Sequence, residues 1–147
     1  MISETNGGFL ITQIKQVSGR IFEKLLSGAG VDAFNGAQGR ILYVLWQKDD
    51  IPIVELSKKT GLAKTTLTSM LDRMEDAGLI LRVFDKSDRR QIRITLTEQA
   101  HSLSGEYDEV SQDMNKIYYA GFSDDEIIAF ENTLRRILKN LNESEGV

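Results

Sequence analysis

The sequence predicts a mostly α-helical fold with a small β-wing, a single β-hairpin that follows four helices. Over most of the 147 residues, apolar side chains recur every three or four positions, which places them on one face of a helix. Between Leu81 and Leu96 they recur every second position, as in a strand, on either side of the charged run Asp85–Arg90. Glycines and capping residues at the ends of these segments set the element boundaries.

Two helices are predicted in the N-terminal third. The first covers Phe9–Leu26, and its apolar stripe consists of Ile14, Val17, Ile21 and Leu25. The second begins at Asn35, because the side chains of Asn35 and Gln38 suit a capping box. It ends at Lys48-Asp49-Asp50, with Ile41, Leu42, Leu45 and Trp46 on its apolar face.

The next two predicted helices are separated by a tight turn. A short helix, Ile53–Thr60, follows Pro52 and ends at Gly61. The helix after the turn, Leu62–Ala77, has an apolar face of Leu67, Leu71 and Met74 and ends at Gly78. This arrangement is a helix-turn-helix, in which the second helix enters the major groove of DNA.

Two further helices are predicted after the hairpin. One is a long helix, Thr97–Ala120, capped by Thr97. The other extends from Ser123 to Leu141, with a capping box formed by Ser123 and Glu126. Their apolar stripes exceed what a small helix-turn-helix unit can cover, which predicts a symmetric homodimer built by the terminal helices.

The composition excludes several classes of site. The chain has no cysteine and one histidine, so we expect no disulfide, no zinc site, no other metal site and no cofactor. No apolar run approaches the roughly 20 residues that cross a bilayer, so we expect no membrane partner and a cytoplasmic protein. We find no catalytic constellation and expect a protein that is not an enzyme.

The charge is unevenly distributed along the chain. The total is −4, but the segment Lys58–Arg93 holds nine basic and five acidic residues and therefore carries +4. The remainder carries −8. A surface that binds phosphate needs local positive charge rather than a positive total, so this segment is the candidate for DNA binding.

Within that segment, two sets of side chains are candidates for contact with DNA. A helical wheel places Thr65, Ser69 and Arg73 opposite the apolar face, where small hydroxyls allow close approach to a duplex. At the hairpin tip, an arginine suits a narrow minor groove, and a carboxylate two residues earlier can orient it. The complete predicted set is Lys64, Thr65, Thr66, Thr68, Ser69, Arg73, Lys86, Asp88, Arg89 and Arg90.

The chain resembles the MarR family of regulators from about Phe9 to Leu141. The resemblance rests on Glu55-Leu56, Gly61-Leu62, Thr66–Glu75, Ala77–Ile80, Asp85–Arg90 and Leu96–Glu98. It implies a winged helix-turn-helix lobe at residues 35–97, a recognition helix at Ala63–Ala77 and a wing-tip Arg90 braced by Asp88. It also implies long dimerisation helices flanking that lobe, at residues 8–30 and 98–142 of a single chain.

By the same resemblance, the expected partner is double-stranded DNA with a pseudo-palindromic operator. The expected function is repression that is released by a small aromatic effector. Segments that would line an effector crevice supply Phe22, Tyr43, Trp46, His101 and Tyr107, although core packing explains most of them equally well. The alternative function is a winged-helix adaptor that contacts proteins and has no DNA function.

Overall fold

The computed structural model describes residues 2–146 and is mainly helical. The described residues up to Asp113 form one compact unit and those from Met114 form a second, so the boundary falls within a helix. The elements are α1 Gly7–Gly28, α2 Gly36–Gln47, β1 Ile51–Pro52, α3 Ile53–Thr60, α4 Lys64–Asp76, β2 Ile80–Phe84, β3 Ile92–Leu96, α5 Glu98–His101, α6 Ser104–Tyr118 and α7 Asp124–Ser144.

The predicted hairpin is part of a three-stranded antiparallel sheet with the order β1-β3-β2. In the hairpin, Ile80 is opposite Leu96 and Phe84 is opposite Ile92. Strand β1 pairs through Ile51, opposite Ile94. Sequence periodicity missed β1, because a strand of two residues is too short to display an alternating pattern.

The core of the first unit contains the predicted apolar faces of α2 and α4, but the alternation predicted for β2 is wrong: Leu81 and Val83 are 51% and 41% exposed, and Ile80 is buried instead. The face of α4 formed by Leu67, Leu71 and Met74 is fully buried, with 0% exposure. The same complete burial is found for Ile41, Leu42, Leu45, Ile51, Leu56, Ile80 and Ile94. The lobe made of α2, α3, α4 and the sheet therefore has its own tightly packed centre.

The predicted helix caps are confirmed. The Asn35 side chain accepts from the Gln38 amide at 2.8 Å, and the Gln38 side chain accepts from the Asn35 amide at 3.0 Å. The Ser123 hydroxyl accepts from the Glu126 amide at 3.2 Å, and the reciprocal bond is also present. Thr97 caps α5 by accepting from Ala100 at 3.2 Å. These bonds satisfy amides that helix starts leave unpaired.

The single long helix expected at Thr97–Ala120 is wrong, because the chain breaks it between His101 and Ser104. In an unbroken helix the Ala100 carbonyl would accept from the Ser104 amide. Here that carbonyl accepts from the Leu103 amide at 3.2 Å and from the Trp46 indole nitrogen at 2.9 Å. A long-range bond thus competes with the helical one, which separates α5 from α6.

The terminal helices carry apolar side chains that the chain does not cover. On α1, the buried residues are Ser18, Phe22 and Leu26, whereas Ile14 and Val17 of the predicted stripe are 45% and 41% exposed. On α7 no described residue is buried. Within residues 2–146, no helix combines the length and the apolarity that crossing a membrane requires.

Candidate nucleic-acid interface

The turn between α3 and α4 is held by side chains that bond to the backbone. Gly61 has a φ of +74°, a left-handed conformation that glycine adopts at little cost. The Ser57 hydroxyl donates to the Leu62 carbonyl at 2.7 Å, and the Thr60 hydroxyl donates to the Leu56 carbonyl at 2.8 Å. These bonds fix the direction in which α4 leaves the turn.

The outward face of α4 presents the predicted polar residues to solvent. Lys64, Thr65, Thr66, Ser69 and Arg73 are exposed. Thr68 differs, because it is half-buried and its hydroxyl donates to the Lys64 carbonyl at 2.8 Å. The Thr68 hydroxyl proton is thus engaged within the helix, although the hydroxyl oxygen can still accept a hydrogen bond from another group.

The start of α4 has no side-chain cap, because its N-cap residue is Ala63. The amides of a first helical turn have no acceptor within the helix, and the positive end of the helix dipole lies there. An uncapped, exposed helix start of this kind suits a phosphate oxygen.

The turn between β2 and β3 is organised by Asp85. One oxygen of its carboxylate accepts from the Ser87 amide at 2.8 Å and from the Asp88 amide at 3.1 Å. The backbone closes the turn with bonds from Asp85 N–H to the Gln91 carbonyl and from Gln91 N–H to the Asp88 carbonyl, both at 3.0 Å. The bond from Ser87, followed by those from Arg93 and Asp88, lowers the pKa of the Asp85 carboxyl.

At the tip of this turn, Arg90 and Asp88 form an ion pair. The Arg90 Nε lies 3.1 Å from Asp88 Oδ1, and its Nη2 lies 3.3 Å from Oδ2. Arg90 is 91% exposed and Asp88 is 34% exposed. The Arg90 side chain, and then its amide, lower the pKa of the Asp88 carboxyl. Lys86 and Arg89 are exposed on the same turn.

The start of α4 and the hairpin, both predicted to contact DNA, line the same small pocket. Its volume is about 200 Å³, and it lies between the start of α4 and the wing, which we define as residues 80–96. Three predicted DNA-binding residues line it: Lys64, Thr68 and Arg90. Arg82 lines it too, with the apolar residues Pro52, Ile53, Val54 and Ile92. The start of α4 and the wing tip therefore share one face of the lobe.

Arg82, one of the nine basic residues counted in the sequence, forms ion pairs inside the lobe. Its Nη1 lies 2.6 Å from Asp72 Oδ1, and its Nη2 lies 2.7 Å from Glu75 Oε1. The Arg82 side chain, followed by its backbone amide, holds the pKa of the Glu75 carboxyl below its usual range. Arg82 thus ties β2 to α4 and neutralises two acidic groups of that helix.

Arg93 is the second basic residue that forms internal ion pairs, in this case with Asp50 and Asp85. A charge count along the sequence cannot identify such pairs, because Asp50 is 43 residues away from Arg93. The one available signal is that both arginines occupy positions within a strand, where the chain holds side chains in fixed directions.

The aromatic residues expected near an effector crevice form a packed cluster, apart from His101. The Tyr107 ring lies 5.7 Å from Phe22, 6.0 Å from Tyr43 and 5.4 Å from Trp46, measured between centroids. Phe34, which was not expected from the sequence, joins the cluster at 6.1 Å from Tyr107. Burial raises the pKa of the Tyr107 hydroxyl.

His101 lies elsewhere, and its Nε2 is 3.1 Å from Asp49 Oδ2. In the part of the chain that the structure describes, no group of three or more acidic, histidine or cysteine side chains is arranged to hold a metal ion.

Comparison with known proteins matches this geometry to one family. Residues 34–92 match the model described as "MarR family". The chain is 36% identical over 93 residues to an uncharacterized HTH-type transcriptional regulator, YsmB, of Bacillus subtilis (strain 168). That alignment covers 63% of this chain and 64% of the relative, so the chain spans just under two thirds of the relative's length.

Solved structures resemble this chain over most of its length. A mutant of MarR from E. coli, complexed with operator DNA, superposes with a TM-score of 0.79 and 27% identity, over 89% of this chain and 92% of that one. Reduced AbfR bound to DNA superposes with a TM-score of 0.70 and 26% identity, over 90% and 88% of the two chains. With its helix-turn-helix, its wing and the matched segment, this chain resembles the MarR family in both sequence and fold.

Proposed function

We propose that this protein is a transcriptional regulator that binds double-stranded DNA in a sequence-specific manner. The observation that carries the proposal is the shared pocket, in which Lys64 and Thr68 of α4 meet Arg90 of the wing. One duplex can meet both elements only if they lie on the same face of the lobe. The two structural relatives described above are bound to DNA, which supports this function.

The two elements would divide the work of binding. The hydroxyls of Thr65 and Ser69 would approach base edges in the major groove, while the uncapped start of α4 would receive a phosphate. The exposed cations Arg73, Lys86 and Arg89 would neutralise phosphates without distinguishing sequences. Arg90 would enter a flanking minor groove, where negative potential is strongest if the groove is narrow.

The active species would be a homodimer on a pseudo-palindromic operator. Exposed apolar side chains on α1 and α7 support this part of the proposal: Phe9, Leu10, Ile11, Ile14, Val17, Ile128, Phe130, Ile137, Leu138 and Leu141. Apolar surface of this extent is covered by a partner in stable proteins. A second copy of the chain would also supply the second half-site contact that a palindrome requires.

Regulation would take the form of repression released by a small aromatic effector. Occupying a promoter is sufficient for repression. The cluster around Tyr107 would be the sensor, since Tyr43 is 45% exposed at its edge and offers an entry for an aromatic ring. The absence of any catalytic constellation in the sequence supports a regulator rather than an enzyme, and such a regulator would act in the cytoplasm.

The test is duplex binding as a function of salt. Genomic DNA fragments that the purified protein selects should yield one motif, with a Kd in the range of about 10⁻⁸–10⁻¹¹ M at physiological salt. The logarithm of the binding constant should fall linearly with the logarithm of salt concentration. Weak binding without a selected motif would contradict the proposal and would favour the protein adaptor. A titration of aromatic acids into the complex then tests release.

A further inference from the structure

Arg93 bridges two parts of the lobe that are distant in sequence. Its Nε donates to Asp50 Oδ1 at 2.9 Å, and its Nη2 donates to the Asp50 carbonyl. Its Nη1 donates to Asp85 Oδ2 at 3.1 Å. The guanidinium therefore links the residue before β1 to the residue that begins the wing turn, and 29% of its side chain remains exposed.

Asp85 transmits this link to the wing tip. Its carboxylate is only 15% exposed and has both oxygens engaged. The oxygen that does not bind Arg93 accepts from the amides of Ser87 and Asp88. Asp88 in turn accepts from the guanidinium and the amide of Arg90. Charge-assisted hydrogen bonds on the carboxylates of Asp85 and Asp88 thus connect Arg93 to Arg90 through the residue Asp88 itself.

At the other end of the bridge, Asp50 has a backbone conformation that residues other than glycine rarely adopt. Asp50 has a φ of +56°, in the left-handed region that disfavours residues other than glycine. Arg93 binds both the carboxylate and the carbonyl of Asp50, which stabilises that conformation. Arg93 is therefore held to Asp50 at two fixed points, the carboxylate and the backbone carbonyl.

The position of Arg93 in the sheet separates it from the DNA-facing pocket. Ile92 lines that pocket and Ile94 is buried in the core. Successive side chains of a strand point to opposite faces, so Arg93 lies on the other face of β3. Any influence of Arg93 on DNA bound at the pocket must therefore pass through other residues of the wing.

We propose that Arg93 is a positioning residue, which orders the wing turn through Asp85 and so holds Arg90 in place for DNA. The inference rests on the proposed function and deepens it by assigning a residue that acts through the wing tip. A wing ordered before binding loses less conformational entropy on association. The role requires a guanidinium, because only its planar array of donors spans both carboxylates.

The first test uses the free protein and needs no DNA. Backbone ¹⁵N relaxation at Ser87 and Asp88 should give order parameters near about 0.85 in the wild type, falling below about 0.6 in Arg93→Gln. Lys86→Gln removes the same charge from the exposed turn and should leave those values unchanged. Unchanged order parameters in Arg93→Gln, with its thermal unfolding intact, would overturn the inference.

The second test measures affinity for the duplex selected from genomic DNA. Losing the ordered wing in Arg93→Gln should weaken binding by roughly five- to tenfold, and Arg93→Lys should give a similar loss. In an Arg90→Ala background the same change should cost less than about twofold, because its effect passes through Arg90. Full affinity in Arg93→Lys, or an equal loss in both backgrounds, would mean that Arg93 contributes only its charge.

The two tests keep failure of the inference apart from failure of the proposed function. If the wild-type protein binds no duplex, the proposed function is wrong, and the order parameters alone decide whether Arg93 orders the wing. If the wild type binds DNA but Arg93→Gln leaves both affinity and order parameters unchanged, the positioning role is wrong while DNA binding stands.

Discussion

The helix-turn-helix lobe and the last helix use similar apolar patterns with opposite results. In α4, the residues at helical spacing, Leu67, Leu71 and Met74, are fully buried. In α7, Ile137 and Leu141 also lie at helical spacing, yet they are 39% and 59% exposed. The difference teaches that periodicity identifies an apolar face but not what covers it. The lobe buries its own apolar face, whereas the apolar face of α7 stays exposed in the single chain.

The largest effect should come from the core of the lobe. Leu71→Ala removes a side chain with 0% exposure, so it should lower the free energy of unfolding by about 2–5 kcal/mol. Chemical denaturation monitored by circular dichroism measures this. Val54→Ala, at a position in the same lobe that is 54% exposed, is the control and should cost far less. Equal losses would mean that the lobe has no tightly packed core.

The next effect concerns the uncovered face of α7. Ile137→Glu places a charge on the stripe and should weaken dimerisation by roughly 30-fold or more, equivalent to about 2 kcal/mol. Sedimentation at micromolar concentration should then show a 16.5 kDa species in place of one twice that mass.

Asn132→Glu is the matched control for that experiment, because it introduces the same acid at an exposed position on the side of α7 opposite Ile137 and Leu141. It should leave the dimer intact. A wild-type protein that sediments as a monomer and still binds DNA tightly would show that the stripe has another role.

The third effect concerns the wing tip. Arg90→Ala should weaken operator binding by about 1–3 kcal/mol, mainly at A·T-rich flanks. Asp88→Ala should also weaken binding, because Arg90 loses the carboxylate that orients it. A simple electrostatic effect predicts the opposite, since removing a negative charge near DNA would tighten binding.

A double-mutant cycle separates these two explanations. If Asp88 acts by orienting Arg90, Asp88→Ala should have no effect on affinity once Arg90 is alanine. Additive losses of affinity, or tighter binding by Asp88→Ala alone, would show that Asp88 does not act by orienting Arg90.

An effect of similar size, but confined to particular base pairs, is expected for the outward face of α4. Thr65→Ala or Ser69→Ala should change the preference at individual operator positions by roughly 1–3 kcal/mol while leaving the others unchanged. Selection from random duplexes measures this directly. Recovery of the wild-type motif by both variants would place these hydroxyls away from the bases.

The smallest effects should come from the cations that neutralise phosphates. Arg73→Ala and Lys86→Ala should each flatten the slope of log K against log salt by about 0.9 for every phosphate that the variant no longer neutralises, whatever the duplex sequence. Lys139→Ala removes an exposed cation from α7 and should leave the slope unchanged. An unchanged slope in both test variants would remove Arg73 and Lys86 from the interface.

Local chemistry explains why much of the fold was predictable. Asn35 with Gln38, and Ser123 with Glu126, are three residues apart, so their hydrogen bonds form within one helical turn. The positive φ at Gly61 and Gly78 follows from the same local logic. The exposed positions of Thr65, Ser69 and Arg73 followed from the apolar face opposite them, so this part of the candidate site was also predictable.

Long-range contacts explain what the sequence did not predict. The break between α5 and α6 depends on a bond from Trp46 to Ala100, 54 residues apart. Arg82 and Arg93 pair with carboxylates, which neutralises two cations that the charge count had assigned to phosphate binding. Neither the spacing of apolar residues nor the composition predicts such pairings, because they form only when elements distant in sequence pack together.

The sequence by itself determined the order of the helices, the hairpin, the caps and the buried face of α4, because each depends on interactions within a few residues or on a repeating pattern. Only the tertiary structure decided which cations pair with carboxylates of the chain and how the wing is anchored. A guanidinium binds whichever carboxylates the fold brings within about 3 Å of it. For Arg93 those are Asp50, which precedes β1, and Asp85, which begins the wing turn.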